Sequence, residues 1–397
     1  MELNQAQKDA IEIAIQRYKN NQKYTVISGW AGTGKSTTVR YIIAALAAEF
    51  NIDPETDVCY CAFTGKACTV LQSKGNKNVS TLHRLLYEYR PNADGTFFKR
   101  KRDSLEYKII VVDEVSMVSK DLIQDLHRHT GIHIIYLGDS FQLPPIDPKS
   151  DNHLLDNPHI LLTQIMRQEE GNEIIELSTA IREGKPIERF IGKDIQVLNK
   201  DELNTGMLEW ADIVICATNA KRNAINKQMR QLLGFEGQPQ NGEKIICKRN
   251  YWDIASQNGD ALVNGTIGYL ENSFDTFFRI PPWISDKGEV SYMIGDFKTE
   301  EGDYYKGLEI DKKMILTEQP CLDWKTSFKL SKNKKVRYPS PMEFYFGYAI
   351  TCHASQGSQW NNVLVIEENF PREGEEHARW LYTACTRASS RLVLVRQ

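Results

Sequence analysis

The chain has 397 residues, of which 41% are hydrophobic and 25% are charged, and its formal net charge is −3, so we expect a globular protein of roughly two to four domains that meets any polyanion through local basic patches. Its apolar runs are short and interrupted, which leaves no membrane span, and the N-terminal stretch MELNQAQKDA lacks the order of a signal peptide, so we expect a cytoplasmic protein. The eight cysteines include no C-x-x-C pair, which argues against a zinc site and against a disulfide framework.

The first predicted element is a phosphate-binding loop, GWAGTGKST, between an apolar run (YTVIS, 24–28) and a helical pattern (37–50). Its three glycines have no Cβ, so the loop can turn its N–H groups toward an anion, while its lysine supplies charge for the β- and γ-phosphates and its serine a hydroxyl for Mg²⁺. We therefore predict an ATP and Mg²⁺ site, the alternative being a glycine-rich turn with a chance lysine. The predicted residues are Gly29, Gly32, Thr33, Gly34, Lys35, Ser36 and Thr37.

A β-hairpin is predicted next, over residues 86–108, because the sequence alternates around the turn residues ADGT. Phe97 and Phe98 stand there beside the basic run KRKR (99–102). Exposed aromatic rings beside cations suit stacking on nucleic-acid bases and contact with phosphates. A solvated basic loop whose phenylalanines fold back onto the core is the alternative.

Two apolar strands, KIIVVD (108–113) and IHIIYLGD (132–139), are each followed by polar residues that suit a nucleotide site. Asp113 and Glu114 end the first strand, where one carboxylate can hold Mg²⁺ through water while the other orients or deprotonates the attacking water. Gln142 follows the second strand, and its amide can both donate to a phosphate and accept from a water. A purely structural acidic pair and an ordinary turn remain the alternatives.

The overall pattern predicts an α/β protein, since near-continuous apolar strands are typical of a parallel sheet covered on both faces. Further strands of this kind are VCYCAF (58–63), WADIVICATN (210–219), NNVLVIEE (361–368) and RLVLVRQ (391–397). Between about 242 and 340 the sequence becomes alternating and aromatic, as in GEVSYMIGDF and TSFKLSK, which predicts an inserted β domain.

A succession of blocks spanning residues 3–389 carries a family resemblance. In chain order these blocks are LNQAQKDAI, GWAGTGKST, CAFTGKACTVL, STLHRLL, VVDEVSM, GDSFQLPPI, LTQIMRQ, ATNAKRNAIN, LVNGTIG, YAITCHASQGSQW and LYTACTRAS. The succession closely resembles superfamily 1 DNA helicases, specifically the RecD-like and phage Dda-type branch.

This resemblance implies two RecA-like lobes with ATP between them and single-stranded DNA running across both. Lobe 1 would span residues 1–148, with 86–108 as the pin that splits the duplex. Lobe 2 would span 149–241 and 341–397, with 242–340 inserted as an SH3-like subdomain. The chain starts almost at the first motif, which favours the compact Dda-type arrangement over longer RecD-like relatives.

The resemblance also implies roles for single residues. Gln7 matches the glutamine that reads adenine, Asp113 and Ser36 match the metal ligands, and Gln356 and Gly357 complete the ATP-binding set. Arg167 and Arg387 resemble the arginines that reach the γ-phosphate from lobe 2. Each of them could instead form a surface or inter-lobe ion pair. The implied catalytic residues are Lys35, Asp113, Glu114, Gln142, Arg167 and Arg387.

For DNA, the resemblance implies a strand path gripped without regard to base sequence. His83 and His353 could each instead be packing or capping residues. The block ASQGSQW departs from the family, with Ala354 where a lysine is frequent and Gln359 where a glutamate is frequent, which puts one DNA contact and one ribose contact in doubt. The implied DNA-binding residues are Thr64, Lys66, His83, Phe97, Phe98, Thr351, His353 and Ser355.

The resemblance therefore implies an ATP-dependent DNA helicase that moves 5′ to 3′, a direction that nothing in the residue spacing yields. The expected partners are single-stranded DNA and junctions of single- and double-stranded DNA, with a single-stranded-DNA-binding protein or replication proteins as further candidates, and a monomer is expected. One alternative is a DNA-stimulated translocase that displaces proteins from DNA without productive unwinding. Another is a P-loop phosphotransferase for a small molecule, which the lobe 2 blocks disfavour.

Overall fold

Two units make up the protein in a computed structural model that describes residues 3–91, 97–144, 150–166, 171–259, 261–333, 336–370 and 374–397. The first unit comprises Met1–Tyr87, Lys101–Thr218 and Thr351–Gln397, and the second comprises Glu88–Arg100 and Asn219–Ile350. No helix in these described ranges is both long enough and apolar enough to cross a membrane.

The helices and strands alternate along most of the chain, as an α/β protein requires. Up to residue 138 they are α1 (Gln5–Lys19), β1 (Tyr24–Gly29), α2 (Lys35–Phe50), β2 (Val58–Ala62), α3 (Gly65–Ser73), β3 (Val79–Thr81), α4 (Leu82–Leu86), β4 (Tyr87–Pro91), β5 (Phe97–Lys101), β6 (Ile109–Val112), α5 (Lys120–His127) and β7 (His133–Gly138). Up to residue 262 they are β8 (Ile160–Leu162), α6 (Glu173–Arg182), β9 (Phe190–Ile191), β10 (Ile195–Asn199), α7 (Thr205–Trp210), β11 (Ile213–Cys216), α8 (Asn219–Leu232), β12 (Lys244–Cys247), β13 (Tyr251–Ala255) and β14 (Ala261–Leu262). The remainder are β15 (Ile267–Arg279), β16 (Glu289–Thr299), β17 (Tyr304–Ile310), α9 (Lys312–Thr317), α10 (Trp324–Ser331), β18 (Phe344–Phe346), β19 (Ala349–Thr351), α11 (Cys352–Ser355), β20 (Trp360–Ile366), α12 (Glu375–Cys385) and β21 (Ala388–Arg396).

The first sheet has the strand order β3-β2-β6-β7-β1-β8, with every pair parallel. Its central strands are buried along their whole length, which is why they appear in the sequence as continuous apolar runs. Ser28 of β1 pairs with Gly138 of β7, and Val112 of β6 pairs with Tyr136. The carboxyl ends of β1, β6 and β7 therefore meet at one edge of the sheet, and the strands predicted from 24–28, 58–63, 108–113 and 132–139 are confirmed.

The second sheet has the strand order β19-β11-β20-β21-β10-β9. The pairs β11–β20, β20–β21 and β10–β21 are parallel, and the short β9 is antiparallel to β10. The strands predicted from 210–219, 361–368 and 391–397 are confirmed. Helix α12 follows β20 and buries Trp380 and Tyr382, each 1% exposed.

The second unit contains an antiparallel sheet of order β17-β16-β15-β12-β18, in which the 13-residue β15 and the 11-residue β16 form a long pair. The alternating sequence pattern of this region is thereby explained. The stretch TSFKLSK belongs to the sequence pattern that predicts β structure, but it lies in helix α10 and just after it, so the prediction is wrong for this stretch. The physical reason is local: Asp323 caps the helix by accepting the Thr326 N–H at 2.9 Å, and Leu330 turns into a core with Phe278 and Tyr292.

The hairpin predicted over 86–108 is present as the two-stranded sheet β4–β5. Its turn, residues 92–96, lies outside the described residues, as do the side chains of Phe97 and Phe98.

Candidate active site

The phosphate-binding loop connects β1 to α2, with the conformation that its glycines predict. Gly32 and Gly34 have φ angles of 76° and 75°, in the left-handed region that favours glycine. A Cβ on Gly34 would also lie 3.0 Å from the Met166 side chain and 3.1 Å from the Gln7 amide nitrogen. Helix α2 begins at once, with Lys35, Ser36 and Thr37 in its first turn, so its positive dipole end points at the loop. The loop can therefore surround an anion.

The Lys35 ammonium group is folded onto this loop. Its Nζ donates to the carbonyl oxygens of Gly29 at 2.6 Å and Trp30 at 3.1 Å, and the Thr33 hydroxyl donates to the same Trp30 carbonyl at 2.8 Å. A Cβ on Gly29 would lie 2.6 Å from the Thr33 hydroxyl and 3.1 Å from Lys35 Cγ. The positive charge of Lys35 therefore lies beside the loop that would bind a phosphate.

Asp113 and Glu114 follow β6 directly. The Asp113 carboxylate accepts the Glu114 N–H at 2.9 Å, and Glu114 adopts a left-handed φ of 52°, which costs a residue with a Cβ about 1–3 kcal/mol. Burial, reinforced by the Glu114 charge, raises the pKa of Asp113 to about 6, against the opposing charges of Lys74 and Lys35. Strain and a buried carboxylate at one point are typical of a functional site.

A lysine that the sequence did not single out lies at the same place. Lys74, at the end of α3, donates to the Ser36 hydroxyl at 3.3 Å, and both line one cavity with Asp113. A hydroxyl and a carboxylate are the oxygen ligands that Mg²⁺ accepts, with water filling its other positions. The predicted metal pair, Ser36 and Asp113, is therefore brought together. No group of three or more His, Cys, Asp or Glu side chains that could hold a metal ion occurs in the described ranges.

The segment from Asp139 to Leu143 follows β7 and is held by helix α12. Arg379 donates to the Ser140 carbonyl at 2.6 Å, and the Thr383 hydroxyl accepts the Leu143 N–H at 3.0 Å. Gln356 donates to the Leu143 carbonyl at 2.7 Å, so this residue of the predicted ATP set supports the segment. Within the segment Gln142 is 6% exposed, and its Oε1 has no hydrogen-bond partner in the described protein.

Tyr382 of α12 joins this segment to the phosphate-binding loop. Its hydroxyl donates to Asp139 Oδ2 at 2.5 Å and accepts the Ala31 N–H at 2.9 Å. The block LYTACTRAS contains Tyr382, but only its arginine had been given a role. The missed signal is the tyrosine itself, one helical turn after Arg379 on the same face.

Gln7 is completely buried beside the loop. Its Oε1 accepts the Asn4 N–H at 3.2 Å in a capping box, and its Nε2 donates to the Thr38 hydroxyl at 3.3 Å. The residue therefore ties the start of α1 to α2, and its reading of adenine stays a prediction.

The two arginines differ in what can be said of them. Arg387 is 2% exposed, and its guanidinium donates to the carbonyls of Thr383 at 3.0 Å and Ser358 at 3.3 Å. It thus closes the end of α12, and contact with a γ-phosphate stays a prediction. Arg167 lies outside the described residues.

Among the predicted DNA residues, two groups from distant parts of the chain come together. Thr64 caps α3, and a Cβ on Gly357 would lie 3.0 Å from its hydroxyl. Lys66 places its ammonium 4.2 Å from the ring centre of Trp360, a cation–π contact. The block around Thr64 and the block around Gly357 therefore share one surface.

The remaining DNA residues are less open. Ser355 is buried and its hydroxyl donates to the Cys352 carbonyl at 2.7 Å, while Thr351 is half-buried at the start of α11. His353 is half-buried, and burial lowers its pKa. His83 is half-buried with its ring 5.7 Å from that of Phe63, as in the packing alternative. DNA contact by these residues stays a prediction.

Sequence models of two known families match the chain. The AAA domain matches residues 2–201, and the UvrD-like helicase C-terminal domain matches residues 346–395. The first match contains the phosphate-binding loop, Asp113 and Gln142, and the second contains Tyr382 and Arg387.

Two curated helicases are similar over most of this chain. The ATP-dependent RecD2 DNA helicase of Deinococcus radiodurans is 35% identical over 93% of this chain and 46% of its own length. The ATP-dependent DNA helicase dda of Enterobacteria phage T4 is 29% identical over 79% of this chain and 64% of its own length. This chain therefore spans less than two thirds of either helicase, whereas it spans 95% of an uncharacterized protein of Acanthamoeba polyphaga mimivirus that is 23% identical.

Solved structures share the fold. A Bacteroides Pif1 helicase in complex with ADP-AlF3 and single-stranded DNA superposes with a TM-score of 0.54 at 17% identity, covering 99% of this chain and 92% of that one. The α/β fold with two RecA-like lobes is thereby confirmed. Since the AAA domain model matches residues 2–201 of 397, the chain belongs to the AAA domain family, and its sequence is similar to those of the ATP-dependent DNA helicases RecD2 and dda.

Proposed function

We propose that this chain hydrolyses ATP to move 5′ to 3′ along single-stranded DNA and to separate duplex DNA. The observation that carries the proposal is the pair of hydrogen bonds by which Tyr382 of helix α12 joins the phosphate-binding loop to Asp139. A motor needs its nucleotide site joined to a second structural element, and these hydrogen bonds join the loop to α12. Two relatives are named ATP-dependent DNA helicases, and the direction comes from the family resemblance alone.

In this proposal the reaction is divided among the residues of the site. The loop N–H groups and Lys35 bind the β- and γ-phosphates, and Glu114 takes the proton of the attacking water. Ser36 and Asp113 would hold Mg²⁺, which supplies positive charge beside the phosphates. Gln142 would donate to the γ-phosphate through its amide nitrogen, and its amide oxygen, which has no partner among the described residues, would accept from a water.

Two arginines would complete the site from lobe 2, Arg167 and Arg387. Each guanidinium would stabilise charge on the γ-phosphate as the lobes approach one another. The proposed boundaries are 1–148 for lobe 1, 149–241 with 341–397 for lobe 2, and 242–340 for the inserted subdomain.

For DNA, we propose a path along the surface shared by Thr64, Lys66 and Gly357, with the hairpin of 86–108 as the pin at the duplex junction. Single-stranded DNA and its junctions with duplex are then the substrates, and a single-stranded-DNA-binding protein or replication proteins are the proposed partners. We propose a monomer that acts in the cytoplasm.

The experiment is ATP-dependent unwinding of matched duplexes that carry either a 5′ or a 3′ single-stranded tail, with Lys35→Ala as the control. Unwinding from the 5′ tail alone, lost in the control, would support both the motor and its direction. Unwinding from the 3′ tail alone would contradict the direction. DNA-stimulated hydrolysis without unwinding from either tail would favour the translocase that displaces proteins.

The pin is tested separately with Phe98→Ala. This variant is expected to keep DNA-stimulated ATP hydrolysis and to lose unwinding, because stacking at the junction is removed while the nucleotide site is untouched. A variant that keeps both activities would remove Phe98 from the mechanism.

A further inference from the structure

Tyr382 has no role in the division of the reaction among residues proposed above, although its hydrogen bonds link the phosphate-binding loop to Asp139. The residue is 1% exposed and Asp139 is equally buried. One hydroxyl bridges two groups from separate parts of the chain, the Asp139 carboxylate at 2.5 Å and the Ala31 amide at 2.9 Å. The bond to the carboxylate has the short length of a charge-assisted hydrogen bond.

The bridge needs a group that donates and accepts at once, because a carboxylate only accepts and a backbone N–H only donates. Burial and the Asp139 charge raise the pKa of Tyr382 well above its usual range, so the hydroxyl keeps its proton. Burial also raises the pKa of Asp139, and the Lys35 charge and the Tyr382 hydrogen bond oppose that rise. Phenylalanine would fill the same space and remove both hydrogen bonds, while Asp139 would keep the one that it accepts from the Phe141 N–H at 3.0 Å.

The position of Tyr382 on α12 extends the effect of the bridge. Arg379, Tyr382 and Thr383 are spaced i, i+3 and i+4, so they share one helix face, and all three contact the segment 139–143. Tyr382 differs from the other two because it also reaches the phosphate-binding loop. A displacement of Ala31 is therefore passed to the start of the segment that carries Gln142.

We propose that Tyr382 is a positioning residue of the ATPase site. Its hydroxyl couples the position of the Ala31 amide to the position of the Asp139 carboxylate and, through Asp139, to the position of Gln142. Ala31 belongs to the loop that would bind the phosphates, so a nucleotide that shifts the loop would shift the Tyr382 hydroxyl with it. Tyr382 itself touches no reacting atom. The proposal rests on the proposed ATPase function.

The test compares Tyr382→Phe with Tyr136→Phe. Tyr136 is a fully buried tyrosine on β7 whose hydroxyl contacts His127 Nε2 at 2.9 Å. The control therefore removes the same atom, a buried tyrosine hydroxyl, from a place outside the site. For each variant we would measure kcat and KM for ATP with single-stranded DNA, and the affinities for ADP and for ADP with aluminium fluoride, which mimics the transferring phosphoryl group.

Tyr382→Phe is expected to lower kcat and the aluminium fluoride affinity about tenfold, while KM and the ADP affinity stay within about twofold. Tyr136→Phe should match the wild type in all four. Tyr382→Phe values equal to wild type would overturn the proposal, as would equal losses in both variants that follow their melting temperatures.

A double-mutant cycle with Asp139→Asn tests the route of the effect. Because Tyr382 acts through Asp139, Tyr382→Phe should change kcat less than about twofold in a protein that already carries Asp139→Asn. A tenfold loss in both backgrounds would overturn the proposal. A wild type without DNA-stimulated hydrolysis would contradict the proposed function, whereas the aluminium fluoride affinities would still decide the role of Tyr382.

Discussion

The two ends of the strands in the first sheet treat buried polar groups differently. At the carboxyl ends, burial raises the pKa of Asp113 and of Asp139, and the Gln142 Oε1 lacks a partner among the described residues. At the amino ends, His133 contacts the Thr25 hydroxyl at 3.0 Å and the Gln22 carbonyl at 2.8 Å through its two ring nitrogens. Burial lowers the pKa of His133 to about 4, so the imidazole is neutral near pH 7.

This difference separates function from stability within one sheet. Buried polar groups with every bond satisfied rigidify a fold, whereas buried charges and unpaired acceptors cost stability and persist where the chemistry needs them. We therefore expect changes at the carboxyl ends to alter activity and changes at the amino ends to alter stability.

The largest effect is expected from Glu114→Gln at the carboxyl end of β6. Loss of the proposed general base should lower the DNA-stimulated kcat about 10²- to 10⁴-fold, because the amide cannot take up the proton of the attacking water. Steady-state hydrolysis would measure kcat, and binding of a fluorescent ADP analogue would measure nucleotide affinity. Glu49→Gln, at an exposed position on α2, is the control. A variant that loses ADP binding in proportion to kcat would assign Glu114 to binding instead.

Gln142→Ala is expected to have the next largest effect. It should lower the DNA-stimulated kcat about 10- to 100-fold, because the variant lacks the amide that we propose contacts the γ-phosphate. The free energy of unfolding should not fall in step, since the variant removes a buried oxygen that lacks a partner. Hydrolysis assays and urea unfolding would measure both. A destabilised variant with normal kcat would break the comparison.

At the amino ends, the pH dependence of stability should report His133. The unfolded chain takes up a proton as the pH falls through about 6.5, while the folded imidazole stays neutral until about pH 4, so stability present above pH 6.5 is progressively lost between these values. The expected loss from this group between pH 7 and pH 5 is about 2 kcal/mol.

Urea unfolding at the two pH values, for wild type and His133→Gln, would measure this loss. The variant should show the smaller change with pH, but some should remain, because burial also lowers the pKa of His127, His129 and His159. An unchanged pH dependence in the variant would show that His133 does not titrate in this way.

The smallest effect is expected from Thr25→Val, which removes one hydrogen bond to the His133 ring without changing the side-chain shape much. The free energy of unfolding should fall by about 1 kcal/mol, and kcat should stay within about twofold of wild type. Thermal unfolding and hydrolysis assays would measure this pair. A tenfold loss of kcat at unchanged stability would mean that the amino ends also serve the reaction.

Most of the fold could be predicted from the sequence because its determinants are local. The central strands are continuous apolar runs, and the loop around Gly32 and Gly34 needs residues without a Cβ at those positions. Helix α10 was not predicted, because its cap at Asp323 and its buried Leu330 form a short pattern within an aromatic stretch.

The site could be predicted only where one stretch of chain carries the chemistry. Lys35, Asp113 and Gln142 each lie in such a stretch. Lys74 reaches Ser36 across 38 positions and Tyr382 reaches Asp139 across 243, and no periodicity within either stretch encodes such a pairing. These contacts depend on the tertiary arrangement of the parallel sheets, which single-chain patterns do not specify.

The 243-residue separation between Asp139 and Tyr382 has a consequence for how the protein is made. Closing so long a loop is entropically unfavourable and comes late in folding, and during synthesis the first sheet emerges well before α12 exists. A growing chain can thus complete its phosphate-binding loop before Tyr382 is available to hold Asp139. If Tyr382 acts as proposed, the order of synthesis delays efficient ATP turnover until helix α12 has been made and has packed against Asp139.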